Sequence, residues 1–365
     1  MTDAVVELLR ERRRSGSTPG NRGDDARLVL LIEDGSSRGA YSSGMTIAIE
    51  QLGLLPMFDA VYGSSAGALN GAWLLCGCAE STQHAWWYPM IMGRTINPRR
   101  LLTRRPVVDT EFLVYTLYTE VVPMGFREIL DNPVELHPTA TDAMTGESAD
   151  LHEHLHDQAG LQAALRASTA MPLLAGEPIE IAGRRFVDAG VSESVPVRTA
   201  LAQKATHIVA FRTRRSDETS ATAPSRGERL VASRWLTRHA PGALETWLGR
   251  AALRAEEERL LTAHPATLQV RPPLGSPHIG RTERRPRLMR AAVDTGLQAA
   301  LNELSTVKET PWPTPPSPPT PPPGPPRECA PSPGPTTSRS PPRPPSSVAW
   351  SSSAPWLAAT SPRRR

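Results

Sequence analysis

Lysine is nearly missing from this 365-residue chain, in which almost all of the 41 basic residues are arginine. The one glycine- and serine-rich loop that follows an apolar run ends without Lys-Ser/Thr and lacks GxGxxG spacing, which argues against a nucleotide phosphate loop. Cysteine is scarce too. Cys76, Cys78 and Cys329 make no disulfide framework and suit a reducing compartment. Cys76 and Cys78, two apart on an expected helix, point to different sides and neither bridge nor chelate together. No apolar run approaches the roughly 20 residues that span a bilayer. Met1 to Asp25 is polar and arginine-rich, without the apolar core of a signal peptide. The expected setting is the cytoplasm, with any contact to a membrane or micelle surface made from outside. The net charge is only +4, and no aromatic-interleaved basic patch is present, so nucleic acid is not an expected partner. The runs Arg12-Arg13-Arg14 and Arg99-Arg100 with Arg104-Arg105 read as solvated faces, the lesser alternative being contact with anionic headgroups.

What is abundant is proline, 38 residues, about half of them after Thr310. That segment cannot bury enough apolar surface to offset its ordering entropy, and disorder with polyproline II character near Pro315 to Pro326 is expected. The rest alternates apolar strand candidates with helical patterns: Leu28 to Ile32, Phe58 to Tyr62, His207 to Phe211 and Ala266 to Val270 as strands, Arg226 to Leu261 as one or two helices and Pro286 to Leu304 as a closing helix. This predicts an α/β fold, a mostly parallel sheet sandwiched by helices. The expected organisation is a polar extension over 1–27, a catalytic domain over 28–211, a mainly helical continuation over 212–306 and a disordered tail over 307–365.

Three elements carry chemistry. Gly63-Ser-Ser65-Ala-Gly67 places Ser65 in a GxSxG frame between a strand and a small-residue helix, the context of a nucleophile held on a strained turn. Upstream, Leu28 to Ile32 empties into Glu33-Asp-Gly-Ser-Ser-Arg-Gly-Ala40, a strand-to-helix loop whose backbone N–H groups can converge on an anion. Beside a nucleophilic serine that anion is naturally an acyl oxyanion; a plain turn is the alternative. Downstream, Asp188 ends a short strand and precedes Ala189 and Gly190. Serine needs a base within hydrogen-bond reach, and Asp188 is the candidate.

Over Leu28 to Phe211 these residues resemble the patatin-like phospholipase family. The oxyanion loop ending Arg-Gly corresponds to Asp34 to Gly39, the elbow to Gly63 to Gly67, and the aspartate turn to Asp188, Ala189 and Gly190. Ala40-Tyr41, Gly44, Thr141-Asp142, Thr145-Gly146 and Ala167-Ser-Thr-Ala-Met-Pro172 support the match. The resemblance implies a patatin-like fold and a lipid acyl hydrolase with a Ser65–Asp188 dyad and no histidine. It also implies oxyanion donors drawn from Gly35, Ser36, Ser37, Arg38, Gly39 and Ala66, and a lipid ester as substrate. No cofactor or metal is called for. His207, His239, His264 and His278 follow Asp188, but no glycine-rich loop presents any of them as a base.

The chain departs from the family pattern at Asp34 and Ser36, where glycines are expected, and at Ala189. If residue 36 takes a positive φ, serine there costs about 1 kcal/mol. A non-catalytic lipid- or partner-binding homologue is therefore one alternative, and a carboxylesterase or thioesterase acting on soluble esters is another. His152, His154 and His156 read as a solvated loop rather than a metal site. The aromatic block His84 to Met92 reads as a helix end packed on the core, with a lipid-access rim or lid as the alternative.

Overall fold

The computed structural model describes residues 2–103, 105–218 and 225–308, all within the first of two compact units, Met1–Thr314. The expected tail beyond Lys308, with Cys329, and also Arg104 lie outside the described residues; the first two positions of the expected tail, 307 and 308, belong to the closing helix.

Leu28–Ile32 (β1) is five apolar residues, all buried. Such an uninterrupted run belongs to a central strand covered on both faces. β1 pairs in parallel with Ala60–Ser64 (β2) on one side and with His207–Phe211 (β7) on the other. The sheet extends through Glu135–Asp142 (β3), parallel to β2, and Thr267–Val270 (β8), parallel to β7. Ser148–Asp150 (β4) and Arg184–Val187 (β6) join β3 antiparallel, and Ile179–Ile181 (β5) closes that edge on β6. The order is β5-β6-β3-β2-β1-β7-β8, with β4 on β3. The α/β, mostly parallel, helix-covered architecture is as the sequence reading expects, with an antiparallel edge added.

Two helices fix the loop after β1. Gly39–Leu52 is stopped by Gly53, whose φ of 65° forms a left-handed cap. It packs on Pro286–Lys308 with backbones nearly touching: a Cβ on Gly44 would lie 2.0 Å from the Val293 carbonyl oxygen, and one on Gly296 would lie 1.9 Å from that of Tyr41. At the end of β1, the fully buried Glu33 accepts from Thr213 N–H at 2.6 Å and pairs with Arg212 and Arg214, each at 3.2 Å. Despite the cost of burial, these arginines pull its carboxyl down to about 2. That lock ties β1 to the end of β7 and sets where the next loop leaves the sheet.

The N-terminal stretch differs from the expected polar extension. Thr2–Ser15 is a helix with Val5 and Leu9 in the core, and Arg12, read as part of a solvated run, is fully buried. Its guanidinium bonds Asp24 at 2.8 Å, Asp59 at 2.8 Å and the carbonyls of Met57 and Ala26, each at 2.6 Å. Arg14, by contrast, lies exposed and paired with Glu11. Arg12→Leu would leave Asp24 without its ionic partner and the Met57 and Ala26 carbonyls without a donor, while Asp59 keeps Arg22 at 2.7 Å; urea denaturation should show a loss of about 1–3 kcal/mol, while Arg14→Ala should change little. The other corrections are small. The 226–261 pattern, expected as one or two helices, is two, Arg226–His239 and Ala243–Ala263, while the closing helix runs past the expected Leu304 to Lys308. Cys76 and Cys78 do not share a helix, because Ala66–Leu75 ends before them.

Candidate active site

Ser65 is the turn between β2 and helix Ala66–Leu75, with φ 54° and ψ −120°, a strained conformation for a residue with a side chain. Its flanking glycines are there for lack of room. A Cβ on Gly63 would sit 2.5 Å from Ala68 backbone atoms, and one on Gly67 would sit 2.3 Å from the Ile32 carbonyl oxygen. The elbow thus rides directly on the end of β1. Ser65 Oγ donates to Asp188 Oδ2 at 2.7 Å across 123 residues. Asp188 Oδ1 accepts from Gly190 N–H at 2.9 Å, and Thr141 Oγ1 donates to the Asp188 carbonyl at 2.8 Å. A side chain on Gly190 would strike Asp34 Oδ2, 2.2 Å from its Cβ position.

Asp188 is buried, and that desolvation, with the nearby charge of Asp34 adding to it, pushes its carboxyl up to about 7. Asp34 is itself buried and held low despite desolvation by Arg254 and Arg214; Ser194 Oγ donates to its Oδ1 at 2.7 Å. A carboxylate so raised, 2.7 Å from a hydroxyl, can exchange a proton with it near neutral pH. Ser168, in the segment between the middle motif and Asp188, accepts the Ser65 N–H at 2.9 Å and holds the elbow from behind. The sequence reading quoted that segment only as supporting resemblance; nothing in its pattern marks the hydroxyl as a brace.

The loop Asp34–Gly39 lies beside Ser65, and Ser36 does take a positive φ, 49°. Its six candidate donors divide. Among the described residues no acceptor is found for the N–H groups of Gly35, Ser36 and Ala66. Ser37 N–H instead donates to the Arg281 carbonyl at 3.3 Å, which also accepts from Ser36 Oγ at 2.6 Å and Ser37 Oγ at 3.0 Å. Arg38 N–H is used by Gly35, and Gly39 N–H caps onto Ser36 and Ser37. A short helical turn consumes its own inner donors, so three of the six remain free. Gly39 has another constraint, a Cβ there falling 2.7 Å from Ala66 Cβ and 2.8 Å from the Trp86 ring. Ala189 is buried and starts a short helical turn.

Ser65 opens into an apolar cavity of about 100 Å³ bordered by Leu69, Trp73, Ile91, Leu113 and Leu117. Trp86 and Met92 line it as well, so the aromatic block is a cavity wall, while its Tyr88 and Met90 are exposed. The candidate histidines stand elsewhere. His207 bonds Thr206, His239 pairs with Glu177, His264 bonds Thr267 and His278 pairs with Glu218. His152 stacks on His137, ring centroids 4.4 Å apart, and bonds the Leu136 carbonyl, so it is anchored rather than simply solvated. Among the described residues no helix is long and apolar enough to cross a membrane.

A family model described as patatin-like phospholipase matches residues 30–201. The chain is 24% identical over 242 residues to the Escherichia coli (strain K12) "Uncharacterized protein YjjU", covering 62% of this chain and 58% of that protein. It is 27% identical over 165 residues to "1-acylglycerol-3-phosphate O-acyltransferase Pnpla3" of Mus musculus, covering 44% and 39%. It therefore matches less than two thirds of the length of either relative. The solved structure of VipD from Legionella pneumophila aligns with a TM-score of 0.39 and 13% identity, over 78% of this chain and 67% of that one. The family match takes in the Asp34–Gly39 loop, the Ser65 elbow and the Asp188 turn, and over these residues the chain is similar to the patatin-like phospholipase family.

Proposed function

We propose that the protein is a serine hydrolase of lipid acyl esters working through a Ser65–Asp188 dyad. The observation that carries this reading is the 2.7 Å Ser65–Asp188 hydrogen bond at the mouth of an apolar cavity. Ser65 Oγ attacks the ester carbonyl as its proton passes to Asp188 Oδ2, and the carbonyl oxygen, now an anion, is met by the N–H groups of Gly35, Ser36 and Ala66. One such donor is worth roughly 3 kcal/mol of barrier. Collapse of the intermediate expels the alcohol, which takes the proton from Asp188, and leaves an acyl-serine whose chain lies among Leu69, Trp73 and Leu113. Water then attacks the acyl-serine as it gives its proton to Asp188, and the acid leaves as the proton returns to Ser65.

The alternative of a binding protein without turnover has less support. Ser36, in its strained conformation, is held by the bond from its Oγ to the Arg281 carbonyl, and among the described residues its N–H has no acceptor. A fluorophosphonate probe tests the proposal: wild-type protein should label at Ser65 with one-to-one stoichiometry and Ser65→Ala not at all. Equal labelling of both would sink the nucleophile assignment.

A further inference from the structure

Among the described residues, five of the nine exposed large apolar side chains fall between residues 88 and 115: Tyr88, Met90, Leu101, Leu102 and Tyr115. Leu102, 87% exposed, is the most open of the nine, and Leu101 beside it is 61% exposed. Both lie on a loop over 97–107, whose sequence holds four arginines and no acid. We propose that this loop docks the protein on an anionic lipid bilayer, Leu101 and Leu102 entering the edge of the hydrocarbon while Arg99 and Arg105 stay at the charged surface. Docking needs no turnover, so it stands or falls apart from the acyl-hydrolase reading.

The loop is closed at its base by an antiparallel bridge between Ile96 and Val108, where Asn97 N–H donates to the Val107 carbonyl at 2.8 Å and Asp109 N–H to that of Thr95 at 2.8 Å. Ile96 and Val108 also line the apolar cavity at Ser65. Beyond this base the chain leaves the core, and of the described residues from 98 to 106 none is buried. A short helical turn, Pro98–Thr103, holds the tip. Asn97 Oδ1 accepts from Arg99 N–H at 3.1 Å, and the Arg100 carbonyl accepts from Thr103 Oγ1 at 3.0 Å and from Arg105 N–H at 3.1 Å. The Arg100 guanidinium is tied down to Asp109 at 3.1 Å. Those bonds order the turn and leave its two leucines outside. Arg99 and Arg105 are exposed, and among the described residues neither has a carboxylate within ion-pair distance.

A single exposed leucine is ordinary, but two adjacent ones on an ordered tip between unpaired cations are a surface to be covered. Shape and charge favour a bilayer over a protein as the cover. The tip projects from the core and carries aliphatic side chains without an aromatic anchor, whereas a protein partner is usually held by aromatic or arginine side chains seated in pockets. A bilayer offers hydrocarbon to the leucines at a depth from which arginine still reaches the aqueous surface, and anionic lipid supplies the counter-charge that Arg99 and Arg105 lack. The chain leading into the loop repeats the division, with Ile91 and Met92 on the cavity and Tyr88 and Met90 exposed. Because the loop's base is part of the cavity wall, docking by the tip brings the cavity up to the lipid.

The test sediments the full chain with vesicles, in a Ser65→Ala background so that the lipid stays intact, comparing phosphatidylcholine with its equimolar mixture with phosphatidylglycerol. At low salt the anionic vesicles should bind at least about tenfold more tightly than the neutral ones. Arg99→Gln with Arg105→Gln should weaken the anionic binding about fivefold per arginine, and Leu101→Ser with Leu102→Ser should weaken it at least about tenfold. Thermal midpoints should match that of Ser65→Ala, since the replaced side chains are exposed. Leu102→Ser alone should still weaken binding at least about threefold, which keeps the test decisive if the leucine pair fails to fold. The arginines beyond residue 308 are the same in every variant, so a difference belongs to the loop. Undiminished binding by folded leucine variants would overturn insertion by the tip, and so would a loss confined to the arginine variant. Absence of vesicle binding, with self-association that the leucine substitutions abolish, would overturn the bilayer in favour of a second copy of the chain.

Discussion

Asp188→Asn should lower kcat/KM by about 10,000-fold or more while the folded protein becomes more stable at alkaline pH. Loss of a member of a serine hydrolase's proton-transfer chain typically costs about that factor. Asparagine keeps the shape, and its carbonyl oxygen still accepts from Gly190 N–H, but the amide cannot take the Ser65 proton. The stability gain follows from burial. The folded-state carboxyl is pushed up to about 7 while the unfolded chain keeps the ordinary 3.8, so between those values the folded form holds more protons. Stability is therefore lost as pH rises through that window, by on the order of 1.4 kcal/mol per pH unit at its steepest. A neutral amide does not bear that cost. Urea denaturation should find Asp188→Asn the more stable form at pH 8, with the advantage shrinking towards pH 4. Retention of a tenth of wild-type turnover by the folded variant would remove Asp188 as the base. None of the single variants at His207, His239, His264 or His278 should approach the loss.

The second large effect is on pH dependence. As Asp188 must be ionised to act as base, kcat/KM should fall about tenfold per unit below the midpoint near pH 7. The groups facing it set that midpoint: burial and the Asp34 charge raise it, while Ser65, Gly190 N–H and Arg281 lower it. Asp34→Asn should then move the midpoint down, because a repelling charge is gone while Arg214 and Arg254 remain. An organic cosolvent should raise the apparent pKa, as for a neutral acid. An imidazole-type response, or an unmoved midpoint in Asp34→Asn, would mean that another group titrates.

Legibility in the sequence followed the range of the interaction. The elbow was readable because its signature is local in sequence: glycines at 63 and 67 frame Ser65 within five residues, even though the atoms that exclude a Cβ at 67 belong to the end of β1. The oxyanion loop was half readable. Its strand-to-helix setting follows from neighbours in the chain, whereas the positive φ at Ser36 was left open by the sequence and is seen only in the structure. Nor does it follow from those neighbours that Ser37 N–H is taken by Arg281, 244 residues away. Ser168 was invisible as a brace, since one hydroxyl in a small-residue segment carries no pattern until the chain folds it against Ser65.

Charge was the least legible property. Three successive arginines at 12–14 look alike in sequence, yet Arg12 is fully buried against Asp24 and Asp59, while Arg14 is exposed and paired with Glu11. Nothing in the helical pattern over 226–261 marks Arg250 and Arg254, yet both are 7% exposed in the packed helix Ala243–Ala263. The sequence by itself determined the strand–turn–helix framework and the place of Ser65 in it, since these rest on backbone sterics and periodicity within short windows. Only the tertiary structure decided how closely Asp188 meets Ser65, how far its carboxyl is desolvated and which loop donors stay free. Solvation and pairing of a charge depend on distances between residues far apart in the chain, and those exist only once the sheet and its helices are assembled.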